Sequence, residues 1–167
     1  GAAEIAALGG AVPIHHIAEQ DSTDLEKAMQ HINAPLCLGF GFLGRRFDHA
    51  LASLTVLARM TDARPEMKIV LAGRHDALTV TKQTIRTALP VDTRYSVWPV
   101  GTVGFDKSDG LIWPLDGLTL SPHGQVGTSN RTAKSAQLLQ PASDNTTAFA
   151  VIVPVECLGH LCDAVMS

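Results

Sequence analysis

The spacing of apolar residues changes character near residue 75. Before that point, Leu25, Ala28, Met29 and Ile32 recur at helical intervals and predict a helix over residues 24 to 32. Pro35 ends it, and the unbroken apolar run Leu36 to Phe40 predicts a buried strand. Leu51, Leu54, Leu57 and Ala58 place a second helix over Phe47 to Met60, and Lys68 to Ala72 supplies another apolar strand. With a short β-prone segment at Val12 to Ile17, residues 1 to 75 alternate strand and helix, so a mainly parallel sheet covered by helices is expected.

Beyond His75 the runs shorten. Leu78 to Lys82, Tyr95 to Val100, Leu111 to Leu120, Ala136 to Leu139 and Ala148 to Val153 are β-prone and are separated by Gly, Pro, Asn and Asp. No long helix is expected there, and Val155 to Ser167 carries no clear pattern. The expected fold class is therefore α/β: a Rossmann-like α/β nucleotide domain over residues 1–75, incomplete at its N-terminus, followed by an antiparallel β-sandwich over residues 76–167.

Composition narrows the partners. With 167 residues, 46% of them hydrophobic, the chain can bury a core of one large or two small domains. A net charge of -3 and 13 Lys and Arg spread without a basic block argue against a nucleic-acid surface. No apolar run reaches membrane-spanning length, and Glu4 stands where a secretory leader would be basic. Cys37, Cys157 and Cys162 are odd in number, and Cys37 lies in an apolar run, so a reducing, cytoplasmic setting is expected. A disulfide or metal at Cys157 and Cys162 lacks a neighbouring Cys-His cluster to complete it.

Two segments at predicted strand-to-helix junctions carry candidate chemistry, where an open α/β sheet places its ligand. Thr23 to Glu26 fits a capping box, and helix initiation alone accounts for those residues. Gln20, Asp21 and Asp24 nevertheless set three oxygen-bearing side chains around one turn, which suits a hard cation such as Mg²⁺. Downstream, Gly39-Phe40-Gly41-Phe42-Leu43-Gly44 matches the dinucleotide pattern G-x-G-x-x-G, with Asp62 as a candidate ribose acid. Asp48 opposes a bare pyrophosphate there, since like charges about 4 Å apart repel by about 4 kcal/mol at an effective dielectric of about 20. A bridging Mg²⁺ removes that conflict and favours a metal-nucleotide site. Arg45 and Arg46, ordinary surface residues by type, follow the glycine turn where a guanidinium fork can take phosphate oxygens.

Four segments in order, Gln20-Asp21-Ser22-Thr23-Asp24-Leu25-Glu26-Lys27, Gly41 to His49, Ser108-Asp109-Gly110-Leu111-Ile112-Trp113-Pro114-Leu115 and Gly127-Thr128-Ser129-Asn130, resemble the motifs of thiamine pyrophosphokinases. The resemblance spans about residues 12 to 154. It implies a homodimeric enzyme that transfers the β,γ-pyrophosphoryl group of ATP to the thiamine hydroxyl with Mg²⁺, leaving AMP. By position it implies catalytic roles for Asp24, Asp48 and Arg46, and ATP or phosphate binding by Gln20, Thr23, Lys27, Arg46 and His49. It also implies metal binding by Asp24 and Asp48 with Asp21 as a third candidate, and a thiamine pocket at the dimer interface from Trp113, Thr128, Ser129 and Asn130. Either Asp24 or Asp48 is a candidate to accept the hydroxyl proton. Trp113 offers a flat apolar face to a heterocycle, although a buried Trp beside a polar turn has the same sequence signature.

The chain departs from the pattern in three places. The family's Gly-Asp-x-Asp-Ser metal segment is expected just upstream of Gly1, Arg45 replaces a glycine, and Gly127 stands where many members have Ser. Two other readings stay open at this level: a non-catalytic thiamine-binding or dimerisation module, and a dinucleotide-dependent oxidoreductase resting on the glycine pattern.

Overall fold

The computed structural model describes Ile17, Glu19, residues 21–44 and residues 46–167. The expected strand at Val12 to Ile17, together with Gln20 and Arg45, thus lies outside the described residues apart from Ile17. The chain divides into two compact units, residues 1–31 and 32–167. In the first, α1 spans Asp24–His31 and buries Leu25 and Met29, the i and i+4 positions of its apolar stripe.

The second unit is a mixed α/β body. It begins with β1 (Leu36–Phe40), α2 (Phe47–Ala63) and β2 (Lys68–Ala72), and β1 pairs in parallel with β2 from Leu36 opposite Lys68 to Phe40 opposite Ala72. This is a strand-helix-strand unit whose apolar runs form the strands where expected. Eight further strands follow: β3 (Asp76–Thr81), β4 (Ile85–Thr87), β5 (Arg94–Pro99), β6 (Val103–Asp109), β7 (Thr119–Leu120), β8 (Gly127–Arg131), β9 (Gln137–Pro141) and β10 (Phe149–Pro154). They complete a six-stranded sheet in the order β1-β2-β3-β10-β5-β8 and build a four-stranded sheet in the order β4-β9-β6-β7.

One expectation is corrected, and two regions take forms that the sequence did not specify. Within residues 1–75 the described strands β1 and β2 are parallel, and the sheet continues past them with β2 antiparallel to β3. Leu111 to Leu120 is a folded loop that contributes one bridge, Leu111 to Thr132, and the two residues of β7. Gly110, Pro114 and Gly117 break its backbone, so apolar content did not translate into a strand. The tail left without a pattern forms a short helix: after a single 3₁₀ turn, α3 spans Leu158–Met166 and inserts Leu161 into the core.

The core lies between the two sheets. Phe149 on β10 and Phe105 on β6 meet edge to face, with ring centres 5.1 Å apart. Val97, Leu120, Leu139 and Val151 are fully buried around them. Gln137 is buried without cost, because its Oε1 accepts from Thr87 Oγ1 at 2.8 Å and from Leu89 N at 3.0 Å while its Nε2 donates to the Lys134 carbonyl at 2.5 Å. Cys37, Cys157 and Cys162 are free thiols whose pKa values burial pushes up, and Cys37 packs as the small hydrophobe its sequence context suggested. Among the described residues no helix is long and apolar enough to cross a membrane.

Candidate functional site

The first acidic segment is organised by Glu19. Its carboxylate accepts the backbone N–H groups of Asp21 at 2.7 Å and Ser22 at 3.0 Å, and also the Ser22 hydroxyl. Lys27 Nζ donates to the Glu19 carbonyl at 2.5 Å and lies 3.5 Å from its carboxylate. Thr23 caps α1 as expected, its hydroxyl accepting Glu26 N–H at 3.3 Å. Lys27 is thereby tied back to the turn, whereas Asp21 and Asp24 are exposed. Sequence reasoning passed over Glu19 because nothing in its spacing separates it from a solvated acid.

Those hydrogen bonds, the Ser22 hydroxyl first, pull the Glu19 pKa down to about 2. A carboxyl held below its unfolded value stabilises above that value and loses its contribution as the pH falls through the folded one. The turn at residues 19–22 should therefore hold at pH 5 and loosen between about pH 4.5 and 2. Amide chemical shifts of Asp21 and Ser22 report this directly, and a midpoint near 4.3 would refute the assignment.

The second segment lies at the carboxyl end of β1. Gly41 and Gly44 take positive φ values of 86° and 118°, so the chain turns sharply before α2. Arg46 stands at the N-cap of α2 without a side-chain capping bond, and its guanidinium grips Asp48 with two bonds, Nε to Oδ1 at 3.2 Å and the terminal nitrogen to Oδ2 at 2.6 Å. Both side chains are more than half exposed. The guanidinium holds the Asp48 carboxyl below the usual carboxylate range, and the carboxylate raises Arg46 in turn. His49 is exposed beside Asp48.

The dinucleotide reading fails on Asp62. That residue sits in the last turn of α2, fourteen residues beyond Asp48 and about 21 Å away along the helix. There it accepts Lys82 Nζ at 2.5 Å.

The two downstream motifs are joined by a single side chain. Asn130, 4% exposed on β8, accepts Trp113 N–H at 3.1 Å and Arg131 N–H at 2.8 Å through Oδ1, and donates from Nδ2 to the Trp113 carbonyl at 2.6 Å. Ser108 Oγ donates to Asp116 at 2.6 Å and accepts Leu115 N–H at 2.7 Å, which holds the other limb of the loop and lowers the Asp116 pKa. Asp109 is lowered likewise, first by its ion pair to Lys134. Fixed this way, the loop projects Trp113 outward at 58% exposure, so it is not a core tryptophan. Thr128 and Ser129 are exposed on the same strand as Asn130, and Ser129 has a positive φ of 61°. The parts played by Ser108, Asp116 and Asn130 were not legible, since each bonds to a position seven or more residues away.

Asn130→Ala should lower stability by about 1–3 kcal/mol, because two part-buried backbone groups of Trp113 lose their partner. Urea unfolding measures it, and a loss under about 0.5 kcal/mol would mean that water replaces the amide.

Among the described residues no group of three or more His, Cys, Asp or Glu is gathered closely enough to hold a metal. Exposed Asp24 and Asp48 are hard oxygen donors of the kind Mg²⁺ uses, in ones or twos, when it arrives with a polyphosphate. Their chemistry fits a nucleotide-borne ion and not a self-sufficient metal cage.

Comparison with known proteins points to one family. The family model described as thiamin pyrophosphokinase, catalytic domain, matches residues 5–71. Thiamine pyrophosphokinase 2 of Arabidopsis thaliana is 28% identical over 141 residues, covering 75% of this chain and 51% of that protein. Thiamine pyrophosphokinase 1 of Oryza sativa subsp. japonica is 27% identical over 150 residues, covering 81% and 55%. The chain thus spans about half the length of these curated relatives. Among solved structures, thiamin pyrophosphokinase from Geobacillus thermodenitrificans is 26% identical with a TM-score of 0.72, covering 92% of this chain and 72% of that one. The Bacillus subtilis thiamine pyrophosphokinase shares the fold at 19% identity and a TM-score of 0.70, covering 83% and 65%. Motif order, family model, curated relatives and solved structures all point to the thiamine pyrophosphokinase family, which this chain resembles.

Proposed function

We propose that this chain carries out, as part of a homodimer, the transfer of the β,γ-pyrophosphoryl group of ATP to the hydroxyl of thiamine, giving thiamine diphosphate and AMP. The observation that carries the reading is the match to the Geobacillus thermodenitrificans thiamin pyrophosphokinase across 92% of the chain. The strand-helix-strand unit supports a Rossmann-like nucleotide part within residues 1–75, and the two facing sheets support a β-sandwich part within residues 76–167 that binds thiamine and dimerises.

Transfer of this kind depends on position and charge more than on covalent chemistry. Arg46 binds the ATP phosphates, with Gln20, Thr23, Lys27 and His49 around them. Asp24 and Asp48, with Asp21 adjacent, hold the Mg²⁺ that accompanies ATP; the ion neutralises phosphate charge. Either Asp24 or Asp48 accepts the thiamine hydroxyl proton. Trp113, Thr128 and Ser129 face thiamine, and Asn130 acts through Trp113 as a positioning residue. The exposed Ile112 and Trp113 support the dimer contact, and three free thiols support a cytoplasmic setting.

The test is direct: the protein incubated with Mg-ATP and thiamine should release AMP and thiamine diphosphate in equal amounts. Thiamine binding without AMP, or ADP in place of AMP, would overturn the proposal.

A further inference from the structure

At the opposite end of α2 from Arg46 and Asp48 lies a groove that the pyrophosphoryl chemistry does not use. It encloses about 530 Å³ between the last turns of α2, the start of β2, the β3–β4 turn and the end of α3. Small-molecule sites run from roughly 300 to 1,000 Å³. Met60 lies twelve residues beyond Asp48, about 18 Å along the helix, so the groove is separate from the glycine loop.

Its lining is chemically one-sided. Leu57, Met60, Ile69 and Ile85 give an apolar floor, and Ala164 and Val165 of α3 close one wall. Thr61, Thr79 and Thr84 set hydroxyls around it. Lys68, Lys82 and Arg86 all line it, and among the described residues no carboxylate side chain does. Lys82 is already neutralised by Asp62 at 2.5 Å. Lys68 Nζ donates only to the Pro65 carbonyl, at 3.0 Å, and neither Lys68 nor Arg86 has an ion-pair partner within 4.0 Å among the described residues. The Glu66 carboxylate acts on Lys68 at longer range but does not line the groove, so Lys68 and Arg86 give the groove itself a positive lining beside an apolar floor, and the guanidinium fork matches the oxygens of an oxyanion.

We propose that this groove binds a small organic anion, its carboxylate, sulfonate or phosphate head held by Lys68 and Arg86 and its apolar body laid on Leu57, Met60 and Ile69. The site stands independently of the pyrophosphokinase reading.

The probe is 1-anilinonaphthalene-8-sulfonate, with the neutral N-phenyl-1-naphthylamine as control. The sulfonate should bind saturably at one per chain and shift the amide resonances of Thr61, Thr79, Thr84 and Ala164. The neutral dye should bind at least tenfold more weakly. Lys68→Gln with Arg86→Gln should weaken the sulfonate at least tenfold, and Thr84→Trp, an exposed turn position that fills the groove, should displace it. Circular dichroism establishes that each variant is folded. Equal affinity for the two dyes, undiminished binding by the folded variants, shifts centred on Phe40, Phe47 or Trp113, or no saturable binding would each overturn the proposal.

Discussion

Gly110→Ala should destabilise the protein by about 4 kcal/mol, the largest effect expected of any single methyl group here. Gly110 ends β6 at a φ of +75°, where an L side chain costs roughly 1–2 kcal/mol before any contact is counted. The added Cβ would then lie 3.0 Å from the carbonyl carbon of Ala136 and 3.1 Å from Gln137 Cα, overlapping the Ala136 carbonyl oxygen. These are backbone atoms, so no side-chain rotation relieves the clash. Relief requires moving the Ala136 backbone or Gly110 itself, whose own carbonyl accepts Ala133 N–H at 2.7 Å, and with it the loop that projects Trp113. Gly117→Ala is the internal control: its φ is +68°, but its Cβ would meet nothing within 4 Å, so only the conformational cost of about 1 kcal/mol remains. Urea midpoints of the two variants should differ by several-fold in the loss they report. Equal losses would mean that the backbone around Ala136 yields freely.

Asp48→Asn should reduce AMP formation by about 10²–10³-fold while leaving the melting midpoint nearly unchanged. The substitution keeps the shape of the side chain and removes its charge. The Arg46–Asp48 pair is solvent-exposed, and exposed pairs contribute little to folding, which separates the catalytic effect from the structural one. Arg46 holds the Asp48 carboxyl below the usual carboxylate range. Asp48→Glu should recover part of the rate. A variant Asn enzyme within threefold of the parent would remove Asp48 from the metal-phosphate machinery.

The elements most legible in the sequence were those whose apolar residues face one core without interruption. Leu36 to Phe40 and Lys68 to Ala72 form strands with the expected ends, and α2 runs only three residues past Met60. What escaped was structure specified by partners. In β8, Gly127–Arg131, polar residues predominate and strand identity comes from pairing with β5. In β6 a register shift between Phe105 and Lys107 breaks the alternation that would have marked it. Leu158, Leu161, Cys162 and Val165 do carry a helical stripe, but Gly159 and a length of nine residues obscured it. At the candidate site the charged residues were readable as types at a junction. The Arg46–Asp48 grip and the Asn130 clasp on Trp113 were not, because a sequence records neither rotamers nor loop paths.

The six-stranded sheet also serves as a ruler. β1, which leads into the glycine loop, forms one edge, and β8, which carries Thr128 to Asn130, forms the other. Five inter-strand steps of about 4.8 Å separate them by about 24 Å. A phosphorus atom and the hydroxyl that attacks it must approach to roughly 3–3.5 Å. Under the proposed chemistry, either the two extended reactants bridge that distance or a second chain supplies the thiamine edge. In the proposed homodimer, the second arrangement would have each subunit lend its nucleotide edge to the other's thiamine edge.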